Sequence, residues 1–475
     1  MTELEKTQIE ENPLKKDPDW EHALHIFENV ITHKSEKSQV KAILKLARFS
    51  NHIPRHAFSR IIPILVENLR KPSQESNSNP SIHEATAYCL KRIAFQGNEV
   101  LLEIIGQSDV ISSLLRLLPN SSGRFRQILV KCLWASVSHC TANRGIFVRG
   151  GGLEVVIRML ALGEESTLRK YLLEILSALA LLREVRRVLI SVGGVRFLVE
   201  SALFGNIESR ARAAQAIGLL GVTRRARGML VELGVIPVLV ELLRDGDDKT
   251  KIVAGNALGV VSCHVGYIRP VAQAGAIDLY AQLLEGADPM GREIAEDAFC
   301  VLAIAEENVV DIIDHLVRIL AEGDDDARSA AADVLWDLSG YEHAVCALRN
   351  AGAIPLMVEL LTEGSSDVVE KVSGAIAQLS YDAENRELLS DEGAIPILIT
   401  MLQNESEEIR DNAAEALINF SEDPLLHDMV ATVLDNPLFQ EMQSRMDQLH
   451  ASNEHMARSL RQMSMEALTW NPNLD

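Results

Sequence analysis

The chain has 475 residues, more than one hydrophobic core serves, so it is organised as several domains or as one extended repeat array. Apolar residues make up 47%, charged residues 24% and aromatics 4%, which excludes collagen-like, disordered and small disulfide-stapled classes and favours packed helices over a β-sandwich. The net charge of −21 is uneven: residues 1–250 carry 34 Lys+Arg against 27 Asp+Glu, while residues 251–475 carry 12 against 40. Such a field draws basic partners to the C-terminal half and repels nucleic acid there, unless the carboxylates are simply solvated helix faces.

In chain order, residues 1–19 are charged, lack the apolar core of a signal peptide and are read as a flexible segment. Thr2 stands where myristoylation needs glycine, and the closing NPNLD has no prenylation cysteine. The longest run without Asp, Glu, Lys or Arg, 252–268, is too short to span a bilayer, so no membrane insertion is expected. Cys89, Cys132, Cys140, Cys263, Cys300 and Cys346 form no C-x-x-C pair and read as reduced core thiols of a cytoplasmic or nuclear protein.

From residue 20 to about 430 the chain repeats itself. GGLEVVIRML starts at Gly151, GGVRFLVESA at Gly193, GVIPVLVELL at Gly234, GAIDLYAQLL at Gly275, GAIPLMVELL at Gly352 and GAIPILITML at Gly393. Degenerate copies start at Arg60, Asp109 and Asp311, and the nine starts are spaced by 49, 42, 42, 41, 41, 36, 41 and 41 residues. Each unit is expected to hold a short helix ending at a left-handed glycine and a second helix with Pro237, Pro355 or Pro396 in its first turn. A longer third helix follows, whose apolar face in the last unit is Ala413, Ala414, Leu417 and Phe420. One unit cannot bury its apolar faces alone, so the units must stack. The polar stretch 70–81 is expected to be an exposed loop. The 36-residue spacing lacks a glycine, so its first helix (306–312) is expected to be shortened or fused to the next.

Period, glycine hinge and alanine-rich third helix resemble the armadillo repeat family, over about residues 20–430. The GAIP-rich units are most similar to armadillo-only and U-box-associated proteins of plants, but no U-box precedes them. The resemblance implies an all-α, right-handed superhelical solenoid of about nine armadillo-like repeats whose third helices line a concave groove. It implies a non-catalytic scaffold or adaptor that binds extended segments of other proteins, or else a substrate- or cargo-selecting subunit of a ubiquitin-ligase or transport complex.

Import receptors of this family are similar to one another in a tryptophan and, four residues on, an asparagine on successive third helices. Alignment of the third helices by their ends gives a first row of Tyr88, Trp134, Glu174, Gln215, Asn256, Asp297, Asp333, Gly374 and Glu415. The second row is Arg92, Ser138, Ala178, Leu219, Val260, Val301, Asp337, Gln378 and Asn419. Only Trp134 and Asn419 fit, which argues against an import receptor. Glu174, Asp297, Asp333, Asp337 and Glu415 would offer charge-assisted partners to a Lys/Arg-rich segment. The triplets Arg183, Arg186, Arg187 and Arg224, Arg225, Arg227 occupy equivalent stretches of adjacent units, and stacking would bring them together as a dock for acidic or phosphorylated segments; solvated turn residues are the plain alternative.

Aromatics are few and do not interleave with the arginines, so nucleic-acid binding is not expected. No phosphate-loop, nucleophile-elbow or zincin motif occurs, and His22 and His25 lack a third metal ligand; no enzyme activity, metal or cofactor is expected. Asp324, Asp325 and Asp326 read as a solvated, helix-capping turn. In the tail, 431–475, Phe439, Met442, Met446, Leu449, Asn453, Met456, Leu460 and Met463 form a heptad seam. That seam would cap the last unit or pair two chains as a homodimer through 439–463.

Overall fold

The computed structural model describes residues 20–71, 81–163, 166–434, 439–441, 443–445 and 448. The chain divides into two compact units, residues 1–216 and 217–475. Among the described residues every regular element is helical. The chain opens with the pairs α1 (Trp20–His33), α2 (Glu36–Phe49) and α3 (Arg55–Arg70), α4 (Ile82–Ala94). Three-helix repeats follow: α5 (Glu99–Gln107), α6 (Val110–Leu117), α7 (Gly123–Ser138); α8 (Thr141–Arg149), α9 (Gly152–Ala161), α10 (Ser166–Leu179); and α11 (Arg183–Ser191), α12 (Val195–Phe204), α13 (Ile207–Gly221). Next come α14 (Arg224–Glu232), α15 (Val235–Asp245), α16 (Asp248–Ser262), then α17 (Val265–Gln273), α18 (Ala276–Leu284), α19 (Pro289–Leu302). The series ends with α20 (Glu306–Glu322), α21 (Asp325–Ser339); α22 (Glu342–Asn350), α23 (Ala353–Glu363), α24 (Ser366–Leu379); α25 (Ala383–Asp391), α26 (Ala394–Met401), α27 (Glu407–Glu422); and α28 (His427–Leu434).

The hinges obey backbone sterics. All six glycines that open a repeat phrase have positive φ, from 70° at Gly193 to 85° at Gly275. There a residue with a Cβ would be strained. The degenerate start at Asp109 keeps the same geometry, φ 60°, and is the only non-glycine with positive φ among the described residues. Aspartate tolerates this region better than most residues. Asp311 has no hinge at all: it lies inside α20, a single 17-residue helix, so the two expected helices are fused. The three prolines sit at the third position of α15, α23 and α26, where the amide has no intrahelical partner to lose.

The third helices stack side by side. In the first unit α4 packs between α2 and α7, and α7 against α10; in the second, α16, α19, α21, α24 and α27 pack in sequence. Their apolar stripes form the core, and Ala413, Ala414, Leu417 and Phe420 are all buried as expected.

A recurring device was not legible in the sequence: arginines bind the free carbonyls of the preceding helix end. Arg186 donates to Ala180 O and Leu181 O (3.0 and 2.8 Å), Arg227 to Gly221 O (2.9 Å) and Arg386 to Ser380 O and Tyr381 O (2.8 and 3.0 Å). Cations at helix C-termini satisfy both hydrogen bonding and the helix dipole.

The pair α1 and α2 precedes the phrase at Arg60, and its sequence carries no glycine hinge. The expected end of the array near residue 430 falls within α28. One expectation needs correction. Cys89, Cys132 and Cys140 are buried and Cys300 is half-buried, whereas Cys263, just past the end of α16, and Cys346, in the short helix α22, are exposed. Of the 70–81 loop, residues 72–80 lie outside the described residues, as do residues 1–19. No single helix among the described residues is long and apolar enough to cross a membrane.

Candidate functional site

The solvent-facing side of the third-helix stack carries most of the predicted residues. In the second unit Asn256, Asp297 and Asp337 are exposed, and Asp333, Gln378 and Glu415 are half-buried. Asp333 is paired with Lys371, whose Nζ lies 2.7 Å from Oδ1 and 5.5 Å from the ring centroid of Trp336. Burial works to lower the Lys371 pKa, but Asp333 outweighs it and holds the lysine above its ordinary value. The same lysine thus meets a carboxylate and an indole face together.

Beside this pair a cavity of about 270 Å³ opens along the N-terminal halves of α19, α21 and α24. Six carboxylates line it (Glu293, Glu296, Asp325, Asp326, Asp333 and Asp367) against two cations, Arg292 and Lys371. Arg292 is already bound to Asp326 at 2.8 Å and caps α18 through Gly286 O at 2.7 Å. Burial, and then the charges of Asp333 and Asp297, push the Glu296 carboxyl above the usual range. Next along the stack Glu370 is raised by its hydrogen bond to Glu408. Of the turn read as capping, Asp324 does cap α21, accepting from Ala327 N at 2.9 Å, whereas Asp325 and Asp326 line the cavity.

Other predicted residues are spent internally. Glu174 is buried, accepts the Trp134 indole N–H at 2.5 Å and has a pKa raised by burial, so its carboxylate is not presented to a partner. Its position as the lone charge of YLLEILSALA was the available signal. Asn419 is buried and donates to Ser380 Oγ at 2.8 Å, and Glu415 accepts the Tyr381 hydroxyl at 2.7 Å. Burial, and then Glu415, raise that hydroxyl to about 12.

The alignment by helix ends is one turn out in α7. Trp336 covers the next helix at Lys371 and Gly374, where a Cβ would lie 2.4 Å from the indole. Trp134 likewise reaches Tyr171 (5.2 Å between ring centroids) and Glu174, three residues apart on α10. Trp134 therefore shares the row of Trp336, and Lys131 takes the place assigned to it. The import-receptor pattern then keeps only Asn419. Trp336 itself was missed, because it lies three residues beyond the row under consideration.

In the first unit Tyr88 and Arg92 are half-buried. Lys91 lies 4.9 Å above the Tyr88 ring, Lys131 5.3 Å above Tyr171, and Phe95 packs 5.4 Å from Trp134. In each arginine triplet one member is a helix cap, Arg186 or Arg227, while Arg183, Arg187, Arg224 and Arg225 are exposed. The triplets belong to different units, and each is left with an exposed pair. In the tail, Phe439 is buried and Arg445 binds Glu407 and Asp411 of α27, both at 2.7 Å, so the described start of the tail lies against the last third helix. Met442 and the seam residues from Met446 to Met463 lie outside the described residues.

Residues 382–421, the repeat α25 to α27, match the family model of the armadillo/beta-catenin-like repeat. The fold is an armadillo-type solenoid. An engineered protein from a structural genomics consortium superposes with a TM-score of 0.62 at 23% identity, covering 84% of this chain and 98% of that one. A chain from a structure on the phosphorylation switch controlling the interaction between cadherin and beta-catenin gives 0.65 at 17% identity, covering 89% and 86%. A designed armadillo repeat protein is similar over 47% of this chain and 99% of its own, with a TM-score of 0.39 at 22% identity. No curated protein matches the chain.

Proposed function

We propose that the protein is a non-catalytic scaffold that holds Lys/Arg-rich segments of other proteins on the third-helix face of its second unit. The observation that carries this reading is the cavity at α19, α21 and α24, where six carboxylates face two cations that are already paired. Excess negative charge in a partly desolvated hollow favours a cationic ligand over water. Lys371 serves as an internal template: a partner's lysine would seek the same combination of carboxylate and indole that it occupies. Each charge-assisted bond contributes about 1–3 kcal/mol when well ordered, so a segment with several cations reaches useful affinity without a deep pocket.

Fluorescence anisotropy with a labelled octapeptide of alternating lysine and arginine tests the proposal, beside a glutamate octapeptide. The basic peptide is expected to bind, with an affinity that falls as salt rises, and the acidic one is not. Failure of the basic peptide to bind at low salt contradicts the reading.

A further inference from the structure

Along the first part of the second unit's face, the row four residues past Gln215, Asn256 and Asp297 is apolar. It holds Leu219, Val260 and Val301, and one turn further on come Val222, Cys263 and Ile304. Leu219, Val260 and Val301 lie in the last turns of α13, α16 and α19, and Val222, Cys263 and Ile304 just past their ends, all at identical 41-residue steps. Leu219 is 46% exposed, Val222 66% and Ile304 56%; Cys263 is exposed, and Val260 and Val301 are half-buried. The helices beneath are close: a Cβ on Gly221 would lie 3.1 Å from Val260 Cγ1, and one on Gly218 3.3 Å from Ala257 Cα. Gly218 and Gly259 occupy the row of Trp336, so no bulky side chain stands between the carboxylate row and the apolar one.

An extended peptide brings unpaired main-chain donors and acceptors into whatever groove receives it, and these must be met by polar side chains. Leu, Val and Val offer none. A helix satisfies its own backbone and needs only an apolar face to bury. We infer that this ledge binds an amphipathic helix of a separate protein, with its apolar face on these six residues and its basic end over Asp297, Asp333 and Asp337. The basic end rests on the reading proposed above; the helical occupant does not. Charge fixes the partner's chemistry: the ledge is continuous with the carboxylates of α19 and α21, so lysines or arginines at that end are complementary to it. Three third helices at 8–10 Å spacing give a ledge of about 18 Å, the length of about 12 helical residues.

The test uses the full chain and three labelled peptides. The first is an 18-residue Leu/Ala/Lys helix, cross-linked to hold its shape, with its lysines at one end. The second has the same composition with two central prolines, and the third is the basic octapeptide. The cross-linked helix should bind about tenfold more tightly than its proline-broken counterpart. The double variant Val222→Asp/Ile304→Asp, altered at exposed positions that leave the melting temperature in place, should remove that advantage and keep the octapeptide's affinity. Equal binding of the two long peptides, or undiminished helix binding by the double variant, overturns the inference. Displacement of the helix by an equimolar peptide of residues 449–475 also overturns it, by assigning the ledge to the chain's own tail. Loss of octapeptide binding alone removes the basic-segment reading and leaves the ledge intact.

Discussion

Lys371 is the internal competitor of any basic ligand, so its removal should weaken the fold slightly and strengthen binding. Its ammonium holds Asp333 at 2.7 Å, with the two side chains 31% and 40% exposed. An exposed pair of this kind contributes about 0.2–1 kcal/mol, and its position above the Trp336 ring about 0.5–1 kcal/mol more. Lys371→Met keeps the stem and removes the charge. Its unfolding free energy should fall by about 1 kcal/mol. The same change frees Asp333 and lifts a like charge that stands about 6 Å from an incoming lysine, a repulsion of about 0.7 kcal/mol in a water-like dielectric. Together these raise the affinity for the basic octapeptide about fivefold to tenfold at low salt. Anisotropy titrations at about 50 mM and about 300 mM salt, beside a thermal melt, read both effects, and the gain should shrink at the higher salt. Unchanged affinity would place the peptide elsewhere. A loss would mean that Lys371 itself holds the ligand, and the template argument fails.

Three further outcomes follow from the geometry. Gly374→Ala puts a Cβ into the Trp336 ring, so it should destabilise the second unit by about 1–3 kcal/mol and shift tryptophan fluorescence; an unchanged melt and spectrum contradict the packing described. Glu296 has a raised folded pKa, so its contribution to stability is present below the ordinary carboxylate value and is lost as pH rises through the raised one. Ionisation over that same window supplies another carboxylate to the ligand, so octapeptide affinity should rise across it, and Glu296→Gln should flatten the rise. Trp134→Phe leaves the buried Glu174 carboxylate without its indole donor and should cost about 1–3 kcal/mol, more at neutral than at acid pH, by chemical denaturation.

The sequence revealed those features that depend on one residue type. A left-handed turn after a short helix admits glycine or, at Asp109, aspartate, so the repeat starts could be read directly. The missing glycine before Asp311 likewise marked the fusion that became α20. Register across the stack was harder. Helix ends vary by a turn without penalty, as in α7, while contacts such as Trp134 to Glu174 and Trp336 over Gly374 fix the true row. Burial of individual carboxylates was harder still: Glu174 and Asp333 occupy one row, yet one is buried beneath an indole and the other is half-exposed beside a lysine. The arginine caps stayed hidden because a charged residue at a turn reads as solvated until the carbonyls beside it are seen.

The central claim is that the carboxylates of the second unit recognise basic segments by charge. The most direct measurement is octapeptide binding by the charge-reversed variant Asp333→Lys/Asp337→Lys beside the unaltered chain, across a salt series. The account predicts a loss of at least about tenfold at low salt that narrows as salt rises, beside a loss of stability of about 1 kcal/mol from the broken Asp333–Lys371 pair. Equal affinities at low salt, or a loss that is the same at every ionic strength, would contradict it.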